Sequence, residues 1–267
     1  MSVFVDFVIK RNLRVIFARS RGWLHAKLNQ LFQMFGGGWR TGPQMSVYGV
    51  PMMPNYADKT YRYCHYGTYG TYLSDYIAKI DDPFIFIDIG ANQGLYSLVA
   101  AANPHCGHII AMEPVPATFD FLKANIALNK AEDRATLLNA ALSDTTGSTE
   151  IHMKQKHSGA ATLGGHLGEG GVAQTIQLMC MADLDAYIPE GARIVVKVDV
   201  EGHEDVVIAQ LVTSAHTGRV AAVFYEMDER YADAAPIEAN LRGAGLTRFT
   251  KYGIRRHYDM LAEREGA

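Results

Sequence analysis

Two groups of residues have the types and spacing for small-molecule chemistry. The first is Asp88, Gly90, Asn92, Gly94 and Glu113, set in FIFIDIGANQGLYSLVAAANPHCGHIIAMEP from Phe84 to Pro114. Gly90 and Gly94 let the backbone turn sharply and approach a ligand where a Cβ would clash. A helix opening near Leu95 aims unpaired N–H groups at that ligand, which suits a carboxylate. Glu113, at the end of the next strand, is placed to accept both hydroxyls of a ribose. The second group is Asp199, Glu201, Gly202 and His203 in KVDVEGHED, with Glu226 closing VAAVFYE. Its acids and histidine are candidates for taking a proton from a substrate.

The loop separates two cofactor classes. A dinucleotide site uses three glycines to admit a pyrophosphate. Here Gly90-x-Asn92-x-Gly94 lacks the third, and Asp88 would repel phosphate. S-adenosylmethionine (SAM) has no phosphate and carries an ammonium that Asp88 can hold, directly or through water. SAM is the expected cofactor. The alternatives are an NAD-dependent oxidoreductase and a non-catalytic scaffold with the same fold.

The elements that position these residues read as an α/β sheet. Phe84–Ile89, His108–Met112, Ala135–Leu142, Arg193–Val198 and Val220–Tyr225 are apolar runs of buried-strand character. Pro116–Asn129, the stretch from Glu204 to about Val212, and Pro236–Gly243 read as helices. The turn at Ala141 and Leu142 leaves its strand at the same edge as Gly90 and Glu113, so its backbone is expected against an adenine. Thr247–Thr250 and Ile254–Tyr258 read as a closing antiparallel pair. Tyr61 and Tyr63 alternate as in a strand, while Tyr69, Tyr72 and Tyr76 share a helix face. These tyrosines pack the core or wall the cofactor. Ser148–Met153 and Ile176–Cys180 read as short strands. Between them, residues 157–174 are glycine-rich and read as a long loop, either a flap over substrate or a surface insertion. His152, His157 and His166 match no metal-ligand spacing and read as surface histidines.

Residues 1–35 differ from the rest. Lys10, Arg11, Arg14, Arg19, Arg21 and Lys27 face only Asp6, a net charge of about +5. Leu24, Leu28, Leu31, Phe32 and Phe35 recur at helical spacing. This is a basic amphipathic helix for an anionic membrane surface, or an arm packed on its own domain or across a dimer. Gly36 to Pro54 reads as a loop-like joint, so residues 1–60 form an arm and linker and 61–267 the main domain. The whole chain carries a net charge of −3, which argues against a nucleic-acid partner. Three dispersed cysteines without C-x-x-C fit buried thiols in a reducing compartment. No apolar run reaches the roughly 18 residues of a spanning helix. The expectation is a cytoplasmic protein with membrane-peripheral contact where residues 1–35 supply it.

With both segments in view, IDIGANQGLYSL followed by KVDVEGHEDVVI resembles the FkbM-type family of SAM-dependent methyltransferases over about residues 65–230. The resemblance implies a Rossmann-like class I methyltransferase fold: a seven-stranded, mostly parallel sheet with helices on both faces. It implies methyl transfer, commonly to a hydroxyl oxygen of a sugar, glycan or polyketide-type natural product. The family's cofactor residues fall on Asp88, Gly90, Asn92, Gly94 and Glu113. Its second turn falls on Asp199, Glu201 and Gly202. His203 departs from the small or apolar residue expected there. An alcohol acceptor needs a base, for which Asp199, Glu201, His203 and Glu226 are the candidates and Asp199 leads by position. Glu226 can alternatively pair with Lys197 or Arg193, and Asp199 with Glu226 can hold one Mg²⁺.

Overall fold

The protein is described here by a computed structural model covering residues 42–154, 157–163, 171–230, 232–253 and 256–266. The basic segment 1–35 and His166 lie outside the described residues, as do the side chains of His152 and His157. The chain runs β1 (Gln44–Met45), β2 (Pro51–Met52), α1 (Lys59–Tyr66), α2 (Tyr72–Ala78), β3 (Phe84–Ile89), α3 (Leu95–Ala102), β4 (Cys106–Met112) and α4 (Pro116–Leu128). It continues with β5 (Ala135–Leu138), β6 (Ala141–Leu142), β7 (Gly147–Lys154), β8 (His157–Leu163), β9 (Gly171–Met179) and α5 (Met181–Asp185). It closes with β10 (Arg193–Val198), α6 (Glu204–Leu211), β11 (Val220–Asp228), α7 (Ala234–Gly243), β12 (Leu246–Tyr252) and β13 (His257–Arg264).

Seven strands form the central sheet in the order β12-β13-β11-β10-β3-β4-β5. The pairs among β11, β10, β3, β4 and β5 are parallel, and β13 runs antiparallel between β11 and β12. Alternate residues of β3 feed two cores. Ile85, Ile87 and Ile89 meet Val207, Ile208 and Leu241 from α6 and α7. Phe84 and Phe86 meet Tyr61, Ile77 and Leu98 from α1, α2 and α3. Both faces of β3 are therefore covered, which is why the strand is apolar throughout except for Asp88.

Four sequence expectations change. Residues 59–66 form a helix, although Tyr61 and Tyr63 alternate as in a strand. Asp58 caps it by accepting from Tyr61 N, and Gly67 ends it in the left-handed conformation (φ 75°). Residues 135–142 are two strands: β5 belongs to the central sheet, while β6 pairs with β9 in a second, four-stranded sheet ordered β6-β9-β7-β8. The glycine-rich stretch includes β8 and the first four residues of β9, paired through β7, so its described part is regular structure. The described part of the joint before Pro54 carries β1 and β2 and buries Val50 and Met52. Asn125 of α4 and Asn129, which caps its end, hold it, at Met53 N (2.7 Å) and the Pro51 carbonyl (2.9 Å). Cys64 and Cys106 are buried and Cys180 half-buried, all three as free thiols. Among the described residues no helix is long and apolar enough to cross a membrane.

Candidate active site

The site lies where β3 and β10 end side by side. The chain enters the sheet at β3, steps outward to β5, and returns at β10 on the other side of β3. Connections diverge at this point, so a crevice opens beyond the strand tips. Asp199 N donates to the Ile89 carbonyl at 3.1 Å, and Gly90 N and Ala91 N both donate to the Met112 carbonyl at 3.0 and 2.8 Å. The turn is left-handed at Gly90 (φ 77°), Asn92 (φ 51°) and Gly94 (φ 90°). A Cβ on Gly90 would stand 1.9 Å from the Asp199 carbonyl oxygen, so only glycine lets the two tips close.

Beyond the tips lies a cavity with about 800 Å³ of empty space, part of it open to solvent. Gly90, Asn92, Glu113, Ala141, Leu142, Asp199, Glu201, His203 and Glu226 line it, so nine of the twelve site residues expected from sequence converge there. Asp88 and Gly94 lie behind the wall. Gly94 starts α3 and packs against Leu122.

Glu113 is 5% exposed. Its Oε2 accepts from Asn92 N at 3.0 Å and its Oε1 from Val115 N at 2.9 Å. Each oxygen keeps a lone pair for a further donor. Burial raises its pKa to about 7, against the opposing pull of these two N–H groups. The acid thus sits ready to accept from a diol.

Asp88 is placed differently from the sequence expectation. It is fully buried, and its Oδ2 accepts from Ser97 N (3.1 Å) and Ser97 Oγ (2.7 Å) in the first turn of α3. Its Oδ1 stands 3.3 Å from Lys197 Nζ. Buried behind the strand tip against Ser97 and Lys197, it acts on the loop rather than lining the cavity. Lys197 is almost as buried; its Nζ donates to the Gly90 carbonyl at 2.6 Å and lies 3.5 Å from Asp199 Oδ2. Burial alone would lower the lysine's pKa, but Asp88 and Asp199 outweigh it and leave it raised. A cation inside the β-branched run that follows Arg193 was the sequence signal for this role. Its partners are Asp88 and Asp199, not Glu226, and Arg193 pairs with Asp82 at 3.5 Å.

Asp199, Glu201 and Glu226 each offer a carboxylate oxygen, and these oxygens all lie within 4.8 Å of one another. Glu201 holds a left-handed backbone (φ 55°) before Gly202 (φ 100°). The buried Glu204 carboxylate fixes that turn by accepting from Val200 N and Gly202 N. Burial first, then the charges of Asp199, Glu226 and Glu204, raise Glu201 to about 8. The cluster therefore retains a proton near neutrality. Glu226 accepts from His257 Nε2 at 2.6 Å. That bond is the main reason His257 rises to about 9. Burial and Asp199 push Glu226 upward in spite of it.

His203 does not join the acids. The charges that act on its ring are Asp205 and Asp144, beside the Ala141–Leu142 turn, and burial lowers its pKa. It lines the same cavity as the acids.

The second sheet supplies Ile151 and Ser158 to the cavity wall. Ser158 N and Oγ donate to Asp58 at 2.8 and 3.0 Å, and Ser158 Oγ lies 3.1 Å from Asn92 Oδ1. Gln93 Nε2 also reaches Asp58, at 3.1 Å. These residues are 35 to 100 positions apart, and no spacing rule in the sequence links them.

A central sheet in this order, with a glycine turn after β3 and an acid after β4, defines a class I methyltransferase. Residues 88–245 match the family model "Methyltransferase FkbM domain", and the chain belongs to that family of SAM-dependent methyltransferases. Over 193 residues it is 31% identical to Methyltransferase sdnD of Sordaria araneosa, covering 62% of this chain and 74% of that one. Similar solved structures include the METTL16 MTase domain, with a TM-score of 0.46 and 14% identity over 83% of this chain and 86% of that one. Another is TYW2 of P. horikoshii in complex with MeSAdo, with a TM-score of 0.42 and 15% identity over 85% and 72%.

Proposed function

We propose that the protein methylates a hydroxyl oxygen on a sugar, glycan or related natural product. The observation that carries this reading is the gathering of Asp199, Glu201 and Glu226 at the cavity edge next to the Gly90 turn. The cavity suits SAM: the Gly90 turn borders it without a side chain, and Glu113 keeps acceptor capacity for a ribose. When bound, SAM supplies a methyl group already activated by its positive sulfur. What remains for the chain is to place the acceptor and remove its proton. Asp199 at the tip of β10 is the base. Glu201, which holds its proton near neutrality, donates a hydrogen bond, and Glu226 accepts one, a combination that fits vicinal hydroxyls. Tyr69 and Thr60 complete the wall on this side.

A Mg²⁺ held by the same three carboxylates is the second reading of the cluster, since hard cations take carboxylate oxygens. The test is release of S-adenosylhomocysteine (SAH) from SAM over a panel of monosaccharides, glycosides, polyols and amines, with and without EDTA. Turnover on hydroxyl acceptors, lost in Asp199→Asn while SAH still binds, is expected. Turnover on amines alone overturns the oxygen assignment. Full activity after EDTA removes the metal. A protein stabilised by NADH and not by SAM overturns the whole reading.

A further inference from the structure

The Lys197 ammonium donates to the Gly90 carbonyl at 2.6 Å and forms ion pairs with Asp88 Oδ1 at 3.3 Å and Asp199 Oδ2 at 3.5 Å. Asp88 anchors the start of α3, Gly90 opens the cofactor turn, and Asp199 is the acid at the tip of β10. Only 5% of the lysine side chain is exposed, so water replaces none of these contacts. In β10 it stands directly opposite Asp88 of β3. One buried cation thus touches both the half of the site that holds the donor and the half that meets the acceptor.

We propose that Lys197 is a positioning residue of the methyl-transfer site, holding the Gly90 carbonyl and the Asp199 carboxylate in fixed relation and offsetting the negative charge that the sulfonium of SAM meets. The proposal rests on reading the cavity as the SAM site. With Asp199 Oδ2 drawn towards Lys197, Oδ1 is left for the acceptor. Without the ammonium, the Asp199 carboxylate is free to turn, and its full charge acts on the cavity. SAM and SAH differ by one methyl and one positive charge at the sulfur. A change in local charge therefore separates their affinities, whereas general loosening weakens both alike.

The experiment is calorimetry of the full chain with SAM and with SAH. Lys197→Met is combined with Asp88→Asn so that no lone carboxylate is left buried, and Asp88→Asn alone serves as reference. Relative to that reference, the SAM-to-SAH affinity ratio is expected to move about tenfold towards SAM. Asp199→Asn, in otherwise unchanged protein, is expected to move it several-fold the other way. A ratio that stays within twofold in either variant overturns the role of Lys197. Wild-type protein that binds neither compound overturns the cavity reading, and this proposal with it.

Discussion

Asn92 donates its backbone N–H to Glu113 Oε2 at 3.0 Å, so the left-handed turn after β3 and the acid after β4 form one hydrogen-bonded unit. The unit costs stability before any ligand arrives. Raising Glu113 from 4.5 to about 7 amounts to a penalty on the order of 3 kcal/mol at pH 8. Because the folded-state pKa lies above the unfolded one, the penalty is absent below about pH 4, grows towards pH 7 and stays constant above it. Cofactor-free Glu113→Gln protein is therefore expected to melt several degrees higher than wild type at pH 8 and about equally at pH 4. Its SAH affinity should fall by at least about tenfold. Calorimetric scans at the two pH values, with SAH titrations, check both.

The same acid gives binding a pH dependence. A ribose diol donates to the ionised carboxylate, so SAH affinity should rise about tenfold between pH 6 and pH 8, with proton release on binding near pH 7. Titration in two buffers of different ionisation enthalpy measures that proton. In Glu113→Gln the dependence should vanish.

Three glycines should differ in a defined order. At Gly90 a new Cβ meets a backbone oxygen at 1.9 Å with φ 77°; Gly90→Ala is expected to cost about 3 kcal/mol or more and to abolish SAH binding. At Gly94 the obstacle is Leu122 Cδ1 at 2.6 Å, a side-chain end that can shift, so Gly94→Ala should cost about 2 kcal/mol. Gly202 faces open space, leaving only its φ of 100° and a cost of about 1 kcal/mol. Denaturant midpoints at constant slope rank the three.

Ser158 ties the second sheet to the cofactor loop through Asp58 and Asn92. Ser158→Ala keeps the backbone bond to Asp58 and removes the hydroxyl contacts. Stopped-flow SAH binding is expected to show on- and off-rates rising together, several-fold, with little change in affinity. Unchanged rates would mean that the strand plays no part in cofactor entry.

His203→Ala should weaken SAH binding while leaving the pH profile of turnover in place, because the ring lines the cavity and the charges that act on it are Asp205 and Asp144. Asp199→Asn should do the reverse. Paired binding and pH–rate measurements separate the two.

The parallel strands were legible because burial on both faces leaves unbroken apolar runs, and Gly90 and Glu113 because they stand at the ends of such runs. The rest depended on contacts distant in sequence. Tyrosine alternation suggested a strand at 61–63; the helix is decided by Asp58 and Gly67 on its flanks and by Tyr61 and Cys64 packing one turn apart. The break after Leu138 follows from β9 pairing with Ala141 and Leu142, a partner some 37 residues away. The role of Asp88 follows from Ser97 and Lys197, which meet it from α3 and β10.

The Asp58 carboxylate serves a helix start, the loop after β3 and a strand of the inserted sheet at once. A residue with three such clients cannot be exchanged for the benefit of one. Relatives that reshape residues 143–180 to admit other acceptors are expected to vary at the outer margin of that sheet and to keep its inner hem sewn to Asp58.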